Sequence, residues 1–244
     1  MNRPPLPALR TTLLLLLLAA VPASARVFQV WGERDTGMGS GDIRTAYRTD
    51  VRLNGGYGKL VVNSCPGRVG RALSDLQRQY RGQGWRAYCF SGDGLGWGLA
   101  INPTQVVRLF AVQLGQKPSC LVFQLTQTRE DYQRSLTAPA APPWTDLAGY
   151  PGARTTFTMD NLGSGVSLAA ARSLAPAPTV LRYYQSALRE NGWSFPLPAR
   201  GDGPPVGGVL VGLRSRETVF ITVKSTGANG ESVITVLRKK SGSP

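Results

Sequence analysis

Histidine is absent from all 244 residues. That absence removes Ser-His-Asp and Cys-His nucleophiles and every histidine-ligated metal centre. The lysine-based alternative, Ser-x-x-Lys, does not occur either. Lys240-Ser-Gly242 matches one element of the penicillin-recognising enzymes, but the other elements are missing. Acidic residues are scarce, 14 against 28 Lys and Arg, and no two of them recur at the spacing of an acid/base couple. Glu130-Asp131 is an adjacent pair that reads as loop surface. The expectation is a non-enzyme with no catalytic residue, no metal site and no cofactor.

Cysteine is nearly as scarce: Cys65, Cys89 and Cys120, with no Cys-x-x-Cys, which argues against a thiol–disulfide oxidoreductase. Cys65 precedes a helix, and Cys89 shares a strand face with Trp85 and Ala87 directed at that helix. Cys120 alternates with Leu121, Phe123 and Leu125 and is read as facing away. A Cys65–Cys89 disulfide is therefore favoured, with the two other pairings open. It closes a loop of about 25 residues and would contribute about 3 kcal/mol.

Long apolar runs are missing beyond the first residues. Arg3 and Arg10 flank an n-region, Thr11–Val21 is leucine-rich, and Ala23-Ser-Ala25 is a small-residue cleavage site. The run falls short of the roughly 20 apolar residues of a membrane span. Residues 1–25 are thus expected to be a signal peptide, and the mature chain periplasmic or secreted, with no transmembrane segment. The net charge of +14 favours polyanionic neighbours such as lipopolysaccharide, acidic polysaccharide or nucleic acid.

What the chain does have is a pair of similar helical stretches. Ala72–Trp85 and Val180–Trp193 both carry an apolar stripe at helical spacing and end in Gly-Trp. Leu73 matches Leu181, Leu76 matches Tyr184, Tyr80 matches Leu188 and Gly84 matches Gly192. Upstream, Arg44–Asp50 parallels Arg154–Asp160; downstream, Gly92-Asp-Gly94 parallels Gly201-Asp-Gly203. These correspondences in one order point to an internal duplication. Arg68, Arg71, Arg78 and Arg81 lie opposite the apolar stripe of the first helix and are candidate polyanion contacts.

Strand signals fill the rest, with Asn54-Gly-Gly56 as the strongest hairpin turn. Gly92–Gly98 has glycine at every second position, the wrong spacing for a phosphate loop, and reads as a turn leading into a strand. Thr137–Pro143 is a Pro/Ala spacer. The division predicted is residues 26–136 for a first module, 137–146 for a linker and 147–244 for a second. The fold class predicted is α+β: two tandem modules, each an antiparallel sheet with one α-helix packed on one face.

Tyr150-Pro-Gly-Ala153, an extended stretch, a helix bearing Tyr and Leu with a terminal Gly-Trp, and then a β-hairpin resemble a module of bacterial exported proteins. The resemblance covers residues 148–240, with the first half a diverged copy, and implies a fold rather than an activity. Arg200-Gly-Asp202 is an integrin-type tripeptide better read as a turn. The function expected is a non-catalytic envelope protein, a binding or assembly component of a cell-surface apparatus with a protein partner. The alternative is a basic polyanion binder.

Overall fold

The structure, a computed structural model, describes residues 43–115, 119–137, 142, 144, 146–196, 207–226 and 230–240. The signal segment, Val27–Trp31, the Gly37–Gly41 loop, most of the Pro/Ala spacer and Arg200-Gly-Asp202 lie outside the described residues.

Strands β1 (Arg44–Leu53) and β2 (Gly56–Pro66) form a hairpin, followed by helix α1 (Val69–Gly82). A meander follows: β3 (Arg86–Ser91), β4 (Leu95–Ile101), β5 (Gln105–Gln113) and β6 (Ser119–Thr128), closed by α2 (Arg129–Leu136). The second half repeats the opening with β7 (Arg154–Asn161), β8 (Val166–Ser173) and α3 (Ala177–Glu190). It ends in β9 (Gly207–Arg214), β10 (Glu217–Ser225) and β11 (Ser232–Lys240). Asn54 and Gly55 both take positive φ (46° and 86°), the type I′ geometry that matches strand twist.

The two separate modules expected from the sequence are not formed. A single 11-stranded sheet runs in the order β3-β4-β5-β6-β2-β1-β7-β8-β11-β10-β9, every pairing antiparallel. The halves meet where β1 pairs β7 through Val51↔Asn161, Arg52↔Asp160 and Leu53↔Met159. Each half alone would leave its first strand as an open edge with unpaired N–H and C=O groups; pairing the two edges removes that liability. Side chains reinforce the seam. Arg52 donates to Asp160 from Nε (3.0 Å) and NH2 (2.6 Å), and Asn54 Oδ1 accepts from the Thr158 N–H at 2.7 Å.

Features of the two halves correspond. Both hairpins shift register in the same place, between Thr45 and Tyr47 and between Thr155 and Phe157. Both long helices end in one cap, with the tryptophan N–H reaching back to Tyr80 O or Leu188 O across a positive-φ glycine. Following the strand alternation across the sheet puts α1 and α3 on the same face, over separate cores. The tryptophans nonetheless end in different surroundings. Trp85 is half-buried beside Tyr80, whereas Trp193 is buried with the Arg214 guanidinium 4.5 Å above its ring.

Glycines on the strands make the seats for these helices. A Cβ at Gly96 would come within 2.8 Å of Val69 Cγ1 on α1, and one at Gly208 within 2.6 Å of Leu181 Cδ1 on α3. Of the alternating glycines of Gly92–Gly98, Gly96 is thus the one that lets α1 approach the sheet backbone closely.

Candidate ligand surface

The sheet has two unlike faces. The helix face carries α1, α3 and the segment around Leu147 and Tyr150. Among the described residues, the opposite face is covered only by α2, which packs over β2, β5 and β6. Beyond α2 the outer strands of this face are open, while at its centre Leu53, Met159 and Leu168 of β1, β7 and β8 are buried in a cluster with Leu125, Phe157 and Leu237.

Across this open face the register lines up a row of large side chains. Phe90, Trp97, Phe110, Phe123, Val62 and Tyr47 are direct partners on β3, β4, β5, β6, β2 and β1. The Phe90 and Trp97 rings stack with centroids 4.6 Å apart, and Phe110 meets Phe123 at 6.1 Å. Tyr88 (53%), Phe90 (55%) and Trp97 (45%) stay exposed at the β3–β4 edge. Exposed Phe220, Val209 and Leu213 continue the apolar character on the second half.

Charge is divided between the faces. The strand carboxylates Asp50, Asp160 and Glu217 all project to the helix face, by alternation from Cys65, Val219 and their partners. The charged strand side chains of the open face are all basic, namely Arg44, Arg86, Arg108, Arg154, Arg172, Lys224 and Lys239, while Glu130 and Asp131 on α2 pair with Arg134. Arg108 is taken up beneath α2, where it donates to Gln127 and, at 2.9 Å, to Ser135 Oγ. The other six are exposed.

On the helix face Asp160, Asp146 and Glu217 are engaged by arginines of the chain itself. Arg238, only 4% exposed along its side chain, pairs with Asp146 and with Glu217 at 2.7 Å; Arg214 pairs with both as well. The hydrogen bond from Arg238, opposed by partial burial and helped by Arg214, holds Asp146 well below the ordinary carboxylate range. Burial works against ionisation of Glu217, yet Arg214 and Arg238 outweigh it and lower its pKa. This network fastens the chain entering the second half to β10 and β11.

The arginines singled out in the sequence lie on the far side of the molecule, on α1. Arg68 and Arg71 are exposed near its first turn. Arg78 pairs with Asp75, and Arg81 donates from Nε (3.1 Å) and NH2 (3.0 Å) to the Ala87 carbonyl, fixing the start of β3. The structure does not gather the four into one site.

The cysteines also differ from expectation. None is bonded. Cys65 and Cys89 stand on β2 and β3, four strand spacings apart in the sheet order, or roughly 19 Å. Cys65 instead faces Cys120 directly. The misreading came from taking Leu121, Phe123 and Leu125 as the core side of β6; they line the open face, while Cys120 and Val122 turn to α1.

Helix α2 and the aromatic row were both missed in the sequence, and both left signals. Thr128 Oγ1 accepts from the Asp131 N–H, a Thr-x-x-Asp cap hidden in what was read as a loop. In β3 to β5 the residues turned to α1 include Ala87, Gly96, Gly98, Ala100 and Ala111, and the aromatic ones, Tyr88, Phe90, Trp97 and Phe110, have the opposite parity. Small residues there mark the face a helix must approach.

Among the described residues no group of His, Cys, Asp and Glu is arranged to hold a metal ion, and no helix is long and apolar enough to cross a membrane. Comparison with protein-family models, with curated proteins and with solved structures finds no match for this chain.

Proposed function

We propose that this is an exported, non-catalytic envelope component whose open sheet face binds anionic amphiphiles, the phosphate-and-acyl chemistry shared by lipopolysaccharide and acidic phospholipids. The observation that carries this reading is the coincidence, on the strands of one face, of exposed aromatic rings with charged side chains of basic sign only. Tyr and Trp favour an interface, where the ring is apolar and the polar tip stays wet. A basic side chain near an anionic surface adds about 1 kcal/mol. The helix face differs in carrying carboxylates among its basic side chains, with Asp160 paired to Arg52 and with Asp146 and Glu217 paired to Arg214 and Arg238. In this reading the protein serves as a binding or assembly part of the envelope, holding to its lipid side through the sheet.

Co-sedimentation with vesicles tests it. The chain should pellet with vesicles of phosphatidylglycerol and phosphatidylcholine mixed, stay in solution with phosphatidylcholine alone, and lose binding as salt shortens the Debye length. A heparin column supplies the contrasting polyanion, which has charge and no acyl chain. Tight heparin retention without vesicle binding would replace this reading with an acidic-polymer binder, and binding to neither would remove the open face as a ligand surface.

A further inference from the structure

We infer that Cys65 and Cys120 are the site of a cross-strand disulfide that staples β2 to β6, leaving Cys89 as the free thiol. The two are direct register partners in an antiparallel pair. Opposed residues in such a pair have Cα atoms about 4.5 or 5.5 Å apart, and both values fall inside the range a disulfide spans. Both side chains are buried, at 5% and 0% exposure, in the core beneath α1. Each thiol is the foremost influence on the other's pKa, raising that of Cys65 and lowering that of Cys120, as expected of two sulfurs that face each other. Cys89 has no such partner: it lies against Gly98 on the neighbouring strand, where a Cβ would come within 2.6 Å of its sulfur.

The oxidant is a small disulfide such as glutathione disulfide, acting while the chain folds and before α1 closes over the pair. A thiolate of one cysteine attacks a glutathione sulfur and releases one glutathione thiolate. The thiolate of the other cysteine then attacks the mixed disulfide and releases the second. The two cysteine protons end on the two glutathione thiols; the cysteine sulfurs are oxidised and the external disulfide is reduced.

Refolding the full chain in a glutathione redox buffer, followed by acid quench, alkylation in denaturant and peptide mapping, decides the matter. One cysteine per chain, Cys89, should take the alkylating agent, and the Cys65 and Cys120 peptides should be recovered joined. Cys89→Ala should give the same joined peptides, Cys65→Ala none, and the oxidised chain should melt several degrees above the reduced one. Three alkylated cysteines after refolding, or a link that includes Cys89, would overturn the assignment.

Discussion

Gly56→Val lifts α2 off the sheet and destabilises the first half by at least about 3 kcal/mol, the upper end for overpacking. A Cβ at position 56 overlaps the Asp131 carbonyl oxygen and comes within 3.0 Å of its carbon, and a helix backbone cannot give way as a side-chain tip does. Moving α2 breaks the bonds that dock it: Asn54 Nδ2 to Ser135 O at 2.9 Å, the Tyr57 N–H to Asp131 Oδ1 at 3.1 Å, and Arg108 to Ser135. Urea denaturation reads the loss directly. Gly82→Ala is the control, since nothing lies within 4 Å of a Cβ there. It should be neutral or stabilise by up to about 1 kcal/mol.

Arg238→Met costs about 3 kcal/mol, the lower end for breaking a buried pair, because Arg214 stays with both carboxylates. The variant also changes the acid limb of the stability profile. Asp146 and Glu217 have pKa values depressed in the folded chain, so the stability they contribute is present above their unfolded values near 4 and is lost as pH falls through the folded ones. Melting temperatures of the parent should therefore fall as pH drops below about 5. Those of the variant should start lower and fall less. A variant with the parent's acid slope would show that Arg238 is not what holds these carboxylates ionised. The same network predicts that a fragment starting at residue 142 is more stable than one starting at 147, which lacks Asp146.

Local structure was largely legible in the residues. The Gly-Trp ends of α1 and α3, the Asn54-Gly55 turn and the strand runs follow from periodicity and turn chemistry, and the helices form where the apolar stripes place them. What the sequence hid is longer in range. The seam between β1 and β7 rests on backbone groups that every residue carries, so nothing in Val51, Arg52 or Leu53 announces its partner. The facing of β6 was hidden because both of its parities are apolar, and bulk was mistaken for burial: Leu121 and Phe123 look outward while Cys120 and Val122 are covered. The arginine stripe of α1 was visible as a pattern, but the pairing of Arg78 with Asp75 and of Arg81 with the Ala87 carbonyl depends on folded neighbours.

Binding of two double variants to phosphatidylglycerol-containing vesicles, side by side with the parent, tests the central proposal most directly. Phe90→Ser with Trp97→Ser alters exposed residues of the open face, whereas Arg71→Ala with Arg78→Ala alters the outer side of α1. Withdrawing two aromatic side chains from an apolar layer should weaken binding by at least about tenfold, since burying even one such ring is worth about 1.5–3 kcal/mol. The open-face variant should show that loss with its fold intact by circular dichroism, and the helix variant should bind within about twofold of the parent, as rim charges contribute little once screened. Loss of binding in the helix variant with the open-face variant unaffected would contradict the proposal and return the ligand site to α1.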